Sequence, residues 1–475
     1  MTESTTSTSR KQSASAVGLI VICTAQFLVA LDLSIANIAI PSIESDLGVT
    51  PAATSWILAA FAVTFASTLL IGGRIADLHG RRRVFLASLA LLGLASLLAG
   101  LAWNGPALIV GRVLQGASAG FIAPSALGLL TATTPEGPAR ERALGIFGAI
   151  MSAGFVSGMV GGGILTELAS WRWTILINVP AVLIVVPLAK LALPESKVRN
   201  PQRLDLAGAV LSGTAMVSLL IALSAAGERH WLLAAGLLAL GGCIAYGFIR
   251  FERDRYQPLL PLRLFNTAAV GWSNLIGFTM VAAYGGMLFV ATLYLQQGLG
   301  LGPLSTGMAL GAAGIVGMTT SVLLGRLMHR WRETRLLLFG IVVAITGLAI
   351  LIFLPSDAGV WVVVLGTVVN AFGHIIVLVV VSVLANSGVP DDDKAVAGGL
   401  LNVAQQLGIA VGVALVTMVA VLVSSHVANN DPVLGWRWAI AVCTLLATLA
   451  LAVVPQVKRR LDHIENGNRS NGEEA

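Results

Sequence analysis

Apolar residues along this chain neither alternate nor recur on one helical face. They come in unbroken runs, separated by short breaks rich in Gly, Pro or charge. A run of about 20 apolar residues is the length of a helix that crosses a bilayer. On that criterion the pattern predicts fourteen spanning helices, at approximately 16–40, 53–77, 83–102, 106–131, 143–168, 172–192, 205–226, 231–250, 268–295, 304–328, 335–354, 360–386, 395–423 and 435–454. Residues 1–15 are Ser/Thr-rich and weakly basic, and are expected to be disordered. The apolar run after Arg10 and Lys11 continues to Pro41 with no small-residue cleavage site, so it reads as a retained first helix rather than a signal peptide.

Composition sharpens this picture. The chain has 475 residues, 56% hydrophobic and 11% charged, against roughly 25% charged in soluble domains. That is an all-α polytopic membrane protein. The net charge of +6 therefore reports topology rather than nucleic acid. If the N-terminus is cytoplasmic, the inner loops receive Arg81–Arg83, Arg140, Arg142, Lys197, Arg199, Arg203, Arg253, Arg255, Arg263, Arg330, Arg332, Arg335, Lys394 and Lys458–Arg460. The outer side receives Arg172, Arg229 and Arg437. This bias places both termini in the cytoplasm and requires an even number of spans. Cys23, Cys243 and Cys443 are far apart inside apolar runs. Their odd number and irregular spacing give neither a disulfide framework nor a metal site, and they read as packing residues.

The two ends of the chain repeat one another. LGVTPAAT (47–54) matches LGLGPLST (299–306), and Gly73-Arg74 falls on Gly325-Arg326 at the same shift. SWRWTI (170–175) echoes GWRWAI (435–440), and Gly154 and Gly158 match Gly408 and Gly412. The expected organisation is a six-helix bundle at 16–200, two inserted helices with linkers at 201–255, a second bundle at 256–456, and a cytoplasmic tail at 457–475. Both bundles start on the same side, so they are parallel repeats, an architecture of transporters.

Several stretches also resemble known signatures. GGRIADLHGRRR (72–83) is similar to the loop between helices two and three of the major facilitator superfamily, GRVLQGASAG (111–120) to its helix-four signature, and GFVSGMVGGG (154–163) to its helix-five antiporter signature. LDLSIANIAIP (31–41) and SWRWTILINVP (170–180) resemble the fourteen-helix drug:proton antiporters. The resemblance covers nearly the whole chain and implies the major facilitator fold. The chain departs from the family pattern at Met159, where a proline usually follows the second glycine, and at Leu78, where a basic residue usually follows the aspartate.

Asp32 stands in the middle of the first apolar run. A carboxylate there costs about 2.5–3.5 kcal/mol on insertion scales and marks a functional candidate. Counted from Pro41 and Pro106, Asp32 and Arg112 lie about 13 and 9 Å below the outer helix ends, so they share a depth. Gln115 is one turn along from Arg112 on the same face, followed by Gly116. Burial favours the neutral carboxyl and a nearby guanidinium favours the carboxylate, so this pair reads as a proton-coupling site. A permanent ion pair between helices one and four is the alternative. Gly154, Gly158 and Gly162, with Gly163, form a bare stripe that lets another helix come close. By resemblance, Gly73, Asp77, Gly80, Arg81 and Arg82 form a cytoplasmic gate motif. It could meet the acidic loop Asp391–Asp393, which otherwise complements a helix N-terminus. Trp56, Phe61, Tyr284, His374, Asn402, Gln405 and Gln406 are candidates for a substrate cavity.

These readings converge on a proton-coupled exporter of amphipathic drugs or related small molecules, acting by alternating access. A dedicated exporter of one endogenous metabolite or antibiotic is the nearest alternative, and a proton-coupled uptake symporter is a further one. No phosphate-binding loop, paired catalytic carboxylates or metal-ligand cluster is recognisable, so neither an ATP-driven pump nor an enzyme is expected, and no cofactor. The expected partners are the substrate, protons and the lipid bilayer, with no nucleic acid. The expected setting is a monomer in a bacterial inner (plasma) membrane.

Overall fold

In the computed structural model, residues 3–195, 206–253, 255, 263–266, 268–328, 330–353, 359–387, 389–426 and 432–473 are described. Among them every regular element is a helix. Two compact units form, Met1–Ala209 with Gly302–Met308, and Val210–Leu301 with Ala309–Ala475. The chain begins with α1 (Glu3–Leu47), α2 (Pro51–His79), α3 (Arg81–Gly100), α4 (Gly105–Thr133), α5 (Pro138–Leu168), α6 (Trp171–Leu176) and α7 (Asn178–Ala192). Next come α8 (Leu206–Gly227), α9 (Trp231–Arg253), the short α10 (Arg263–Asn266) and α11 (Ala268–Leu293), which continues as a π-helical turn, Tyr294–Gly298. The remainder is α12 (Pro303–Met328), α13 (Glu333–Ile352), α14 (Val360–Asn386), α15 (Asp391–His426) and α16 (Pro432–Glu473).

Among the described residues, thirteen helices are long and apolar enough to cross a membrane, and the bent pair Ala53–Leu69 and Ile71–His79 makes a fourteenth. The 49° bend of that pair falls just before Gly72-Gly73, where the absence of side chains weakens the helix. The starts of several helices follow from their sequence. Thr50 Oγ1 accepts from Ala53 N ahead of Pro51, and Asn104 Oδ1 accepts from Ala107 N ahead of Pro106. In each case a capping side chain precedes a proline whose missing N–H is harmless in the first turn. The sixth span breaks at Ile177, between α6 and α7. Pro180 lies one turn further on, and its missing N–H leaves a carbonyl of the preceding turn without a helical donor.

Three boundaries differ from the sequence expectation. Helical backbone extends from Glu3 into the stretch expected to be disordered. The first helix continues past Pro41 to Leu47, because one missing N–H interrupts a single bond while the flanking turns carry on. The inserted helices belong, apart from the first residues of α8, to the second compact unit rather than standing as a separate piece.

Within the first unit, the α5 glycines lie against α1. A Cβ added at Gly154 would come 2.7 Å from Phe27 O, and one at Gly158 2.7 Å from Leu31 O. The second unit repeats this contact between α15 and α11. There a Cβ added at Gly408 would come 2.6 Å from Phe278 O, and one at Gly412 2.1 Å from Ala282 O. The internal repeat is therefore a repeat of backbone packing, made possible by glycine at the crossing. It also sets the register. Counted from these contacts, the residue that corresponds to Asp32 is Ala283, one position before Tyr284.

Candidate functional site

A polar cluster of the first unit surrounds Asp32, which is fully buried, as is Arg112. Arg112 Nη1 donates to Asp32 Oδ2 at 2.8 Å and to Gln115 Oε1 at 3.1 Å. Its Nε donates to Ile57 O at 3.0 Å, and Phe61 lies beneath the guanidinium, 4.5 Å from Cζ to the ring centre. Gln115 Nε2 donates to Asp32 Oδ1 at 3.3 Å and to Ser96 Oγ at 2.8 Å. Asn178 Nδ2 completes the ring, donating to Asp32 Oδ1 at 3.1 Å and to Ser96 Oγ at 3.2 Å. Both carboxylate oxygens are thus satisfied away from water, which is what a buried charge requires. Five helices supply the groups: α1, α2, α3, α4 and α7.

The sequence reading brought Asp32, Arg112 and Gln115 to one depth, and the structure brings them into contact. It did not identify Ser96 or Asn178. Asn178 lies inside the SWRWTILINVP stretch, and its place at the first turn of a helix broken by Pro180 was the available signal. Ser96 carried none, since a serine in a spanning helix most often bonds its own backbone. Among the described residues, the corresponding positions of the second unit carry no such charged cluster. Thr367, the counterpart of Arg112, bonds Val363 O. Asn370, the counterpart of Gln115, donates to Ala344 O at 2.8 Å. Counted from Trp171 and Trp436 of the triplets, the counterpart of Asn178 is Cys443, which is fully buried.

The sequence profile of the Major Facilitator Superfamily matches residues 22–413. The chain belongs to that superfamily. As a major facilitator it is a multi-pass membrane transporter of small molecules, not an enzyme. It is 36% identical over 423 residues to the cephamycin export protein of Amycolatopsis lactamdurans, covering 88% of this chain and 87% of that one. It is 34% identical over 456 residues to the puromycin resistance protein of Streptomyces alboniger, covering 92% and 90%. Among solved structures, a peptide transporter bound to sulfate shares the fold with a TM-score of 0.69 at 15% identity, over 95% of this chain and 99% of that one.

The other motif residues of this major facilitator fall into separate places. Gly116 faces Phe61 O and Thr64 Oγ1 of α2, where a Cβ would come within 2.3 and 2.2 Å. Gly158 and Gly162 lie against Leu31, Ser34 and Ile35, so the helix-five stripe backs the stretch of α1 that carries Asp32. Gly163 instead faces Pro303 and Leu304, whose turn belongs to the same compact unit. Nearby, Glu167 accepts from Leu304 N at 2.8 Å. Met159 is buried in the position where the family pattern has proline.

At the turn between α2 and α3, Asp77 accepts from Arg81 Nε at 2.9 Å, and Arg81 Nη1 donates to Gly128 O at 2.9 Å. Arg82 donates to Lys190 O, and Arg83 lies 3.6 Å from Glu195. Gly80 has φ +102°. Gly73 makes only ordinary contact with Pro124, whereas a Cβ at Gly72 would lie 2.4 Å from Gly120 O, so Gly72 is the glycine that the α2–α4 approach requires. Asp393 pairs with Arg263 at 2.9 Å. Arg81 and Asp393, considered as partners for each other from the sequence, therefore each have an ion-pair partner in their own unit. The side chains of Asp391 and Asp392 lie outside the described residues.

The cavity candidates are divided between the two units, Trp56 and Phe61 in the first and the others in the second. Phe61 is fully buried under Arg112. Trp56 is half-buried, as are Asn402 and Gln405. Gln406 is buried with Oε1 lacking a partner. Tyr284 and His374 stack face to face, 4.2 Å between ring centres and 8° between planes. Among the described residues, no group of three or more His, Cys, Asp or Glu comes together.

Proposed function

We propose that this major facilitator is a proton-coupled exporter of amphipathic, antibiotic-like small molecules, with Asp32 as its proton site. The observation that carries this is the sealed Asp32–Arg112 pair, held by two amides inside one unit. A buried ion pair contributes little net stability after desolvation, so its retention in a spanning helix favours use. Desolvation favours the neutral carboxyl, and the Arg112, Gln115 and Asn178 donors favour the carboxylate. Whichever contacts a given conformation keeps then set whether the proton is held. Each proton entering down a 100 mV potential contributes about 2.3 kcal/mol, enough to drive substantial accumulation. The relatives named for cephamycin export and puromycin resistance support the exporter direction. The charge bias supports both termini in the cytoplasm, the bacterial relatives support a bacterial plasma membrane, and one bundle pair supports a monomer.

Because those relatives are each named for one antibiotic, a dedicated exporter of a single compound is the second reading. Proteoliposomes with an acidic lumen, offered puromycin and a cephamycin separately, test both. Uptake of both probes, abolished by Asp32→Asn, is the expected result. Uptake of one alone favours the dedicated reading, and accumulation driven only by an alkaline lumen would make the protein a symporter.

A further inference from the structure

Gln115 and Asn178 both present amides to Asp32, yet the structure ties them differently. Gln115 is held at both ends, because Oε1 accepts from Arg112 Nη1 and Nε2 donates to Ser96 and Asp32. A guanidinium has donors only, so this amide cannot turn over without setting N–H against N–H. Asn178 has no such lock. Its Nδ2 donates to Asp32 Oδ1 and Ser96 Oγ, while its Oδ1 is buried with no hydrogen-bond partner. The residue is fully buried at the first position of α7.

We propose that Asn178 is a positioning residue whose side-chain amide turns over when Asp32 takes up its proton. This rests on the reading of Asp32 as the proton site. With Asp32 ionised, the amide offers N–H to a carboxylate oxygen, as seen here. When Oδ1 of Asp32 is protonated, that oxygen becomes a donor. The amide then presents its carbonyl to it, and the Ser96 hydroxyl, an acceptor in the present arrangement, donates to the same carbonyl. Arg112 keeps Oδ2. The only covalent change is the O–H bond formed on Asp32 by the incoming proton. Among the described residues Arg112 is the one charged group bonded to Asp32. The facing polar groups are Gln115 from α4, Ser96 from α3 and Asn178 from α7, and α5 offers glycines to this stretch of α1. Asn178 therefore carries the protonation state of α1 to the break between α6 and α7.

The test uses the full chain in lipid nanodiscs, labelled with ¹⁵N-asparagine. The Asn178 amide resonance is assigned by its loss in Asn178→Ser or, should that variant not fold, by its displacement in Ser96→Ala. Protonation of Asp32 is followed as the infrared carboxyl band that Asp32→Asn removes. The resonance should move with pH at the same midpoint as that band. In Asp32→Asn it should stay at the parent's acid limit at every pH, because the new amide donates permanently. A carboxyl band that titrates beside a resonance that does not move overturns the turning amide and leaves the proton site standing. If Asp32→Asn removes no titrating band, Asp32 is not the proton site, and both readings fall.

Discussion

Arg112 Nη1 lies 2.8 Å from Asp32 Oδ2, and the two side chains are exposed by only 1% and 0%. Neither charge can be removed without consequence for the other. Arg112→Ala leaves a buried carboxylate with amide donors but no cation, a loss of about 3–5 kcal/mol. Asp32→Asn removes the negative charge while its new carbonyl still accepts from Arg112, so it should be milder. Thermal unfolding of the purified variants should rank parent, then Asp32→Asn, then Arg112→Ala, with transport lost in both. An Arg112→Ala protein that unfolds with the parent would show the pair to be dispensable for the fold.

The α5 glycines make a second prediction. A Cβ at Gly158 would lie 2.0 Å from Ser34 Oγ and 2.7 Å from Leu31 O, whereas one at Gly161 meets nothing within 4 Å. Gly158→Ala should therefore cost about 1–3 kcal/mol by forcing α5 from α1, and Gly161→Ala should leave the melting temperature near the parent's. Equal melting temperatures for the two would contradict the packing described.

At the turn between α2 and α3, Gly80 combines φ +102° with Glu195 Oε1, which a Cβ would approach to 2.5 Å. Gly80→Ala should cost about 1–3 kcal/mol in backbone strain. Asp77→Asn, which breaks the partly exposed pair with Arg81, should cost only about 0.3–0.5 kcal/mol. Comparing the unfolding of the two variants separates turn geometry from surface charge as the basis of this motif.

Topology is tested by labelling. Single cysteines at position 4 and between positions 465 and 475, in a background without Cys23, Cys243 and Cys443, should resist an impermeant thiol reagent in intact cells and react once the membrane is opened. Reaction of either from outside would overturn the even count of spans.

The spanning helices, and the charges of Asp32 and Arg112 within them, were legible in the sequence for a local reason. An apolar run long enough to cross lipid is a property of one segment, and so is the cost of a charge within it. The glycine repeats were legible too, since small residues at fixed spacing permit close approach whatever the partner. Which partner they meet was not. A helix turns by about 100° per residue, so a slip of one position points a side chain at a different neighbour. That is why the counterpart of Asp32 is Ala283, why Gly72 rather than Gly73 faces Gly120, and why Phe61 lies under Arg112. Ser96 and Asn178 are ordinary polar residues along their own helices. They join the site only because α7 brings Asn178 to the carboxylate and α3 brings Ser96 to the two amides that bind it, each within about one hydrogen-bond length, a relation that rotation and interhelical distance decide.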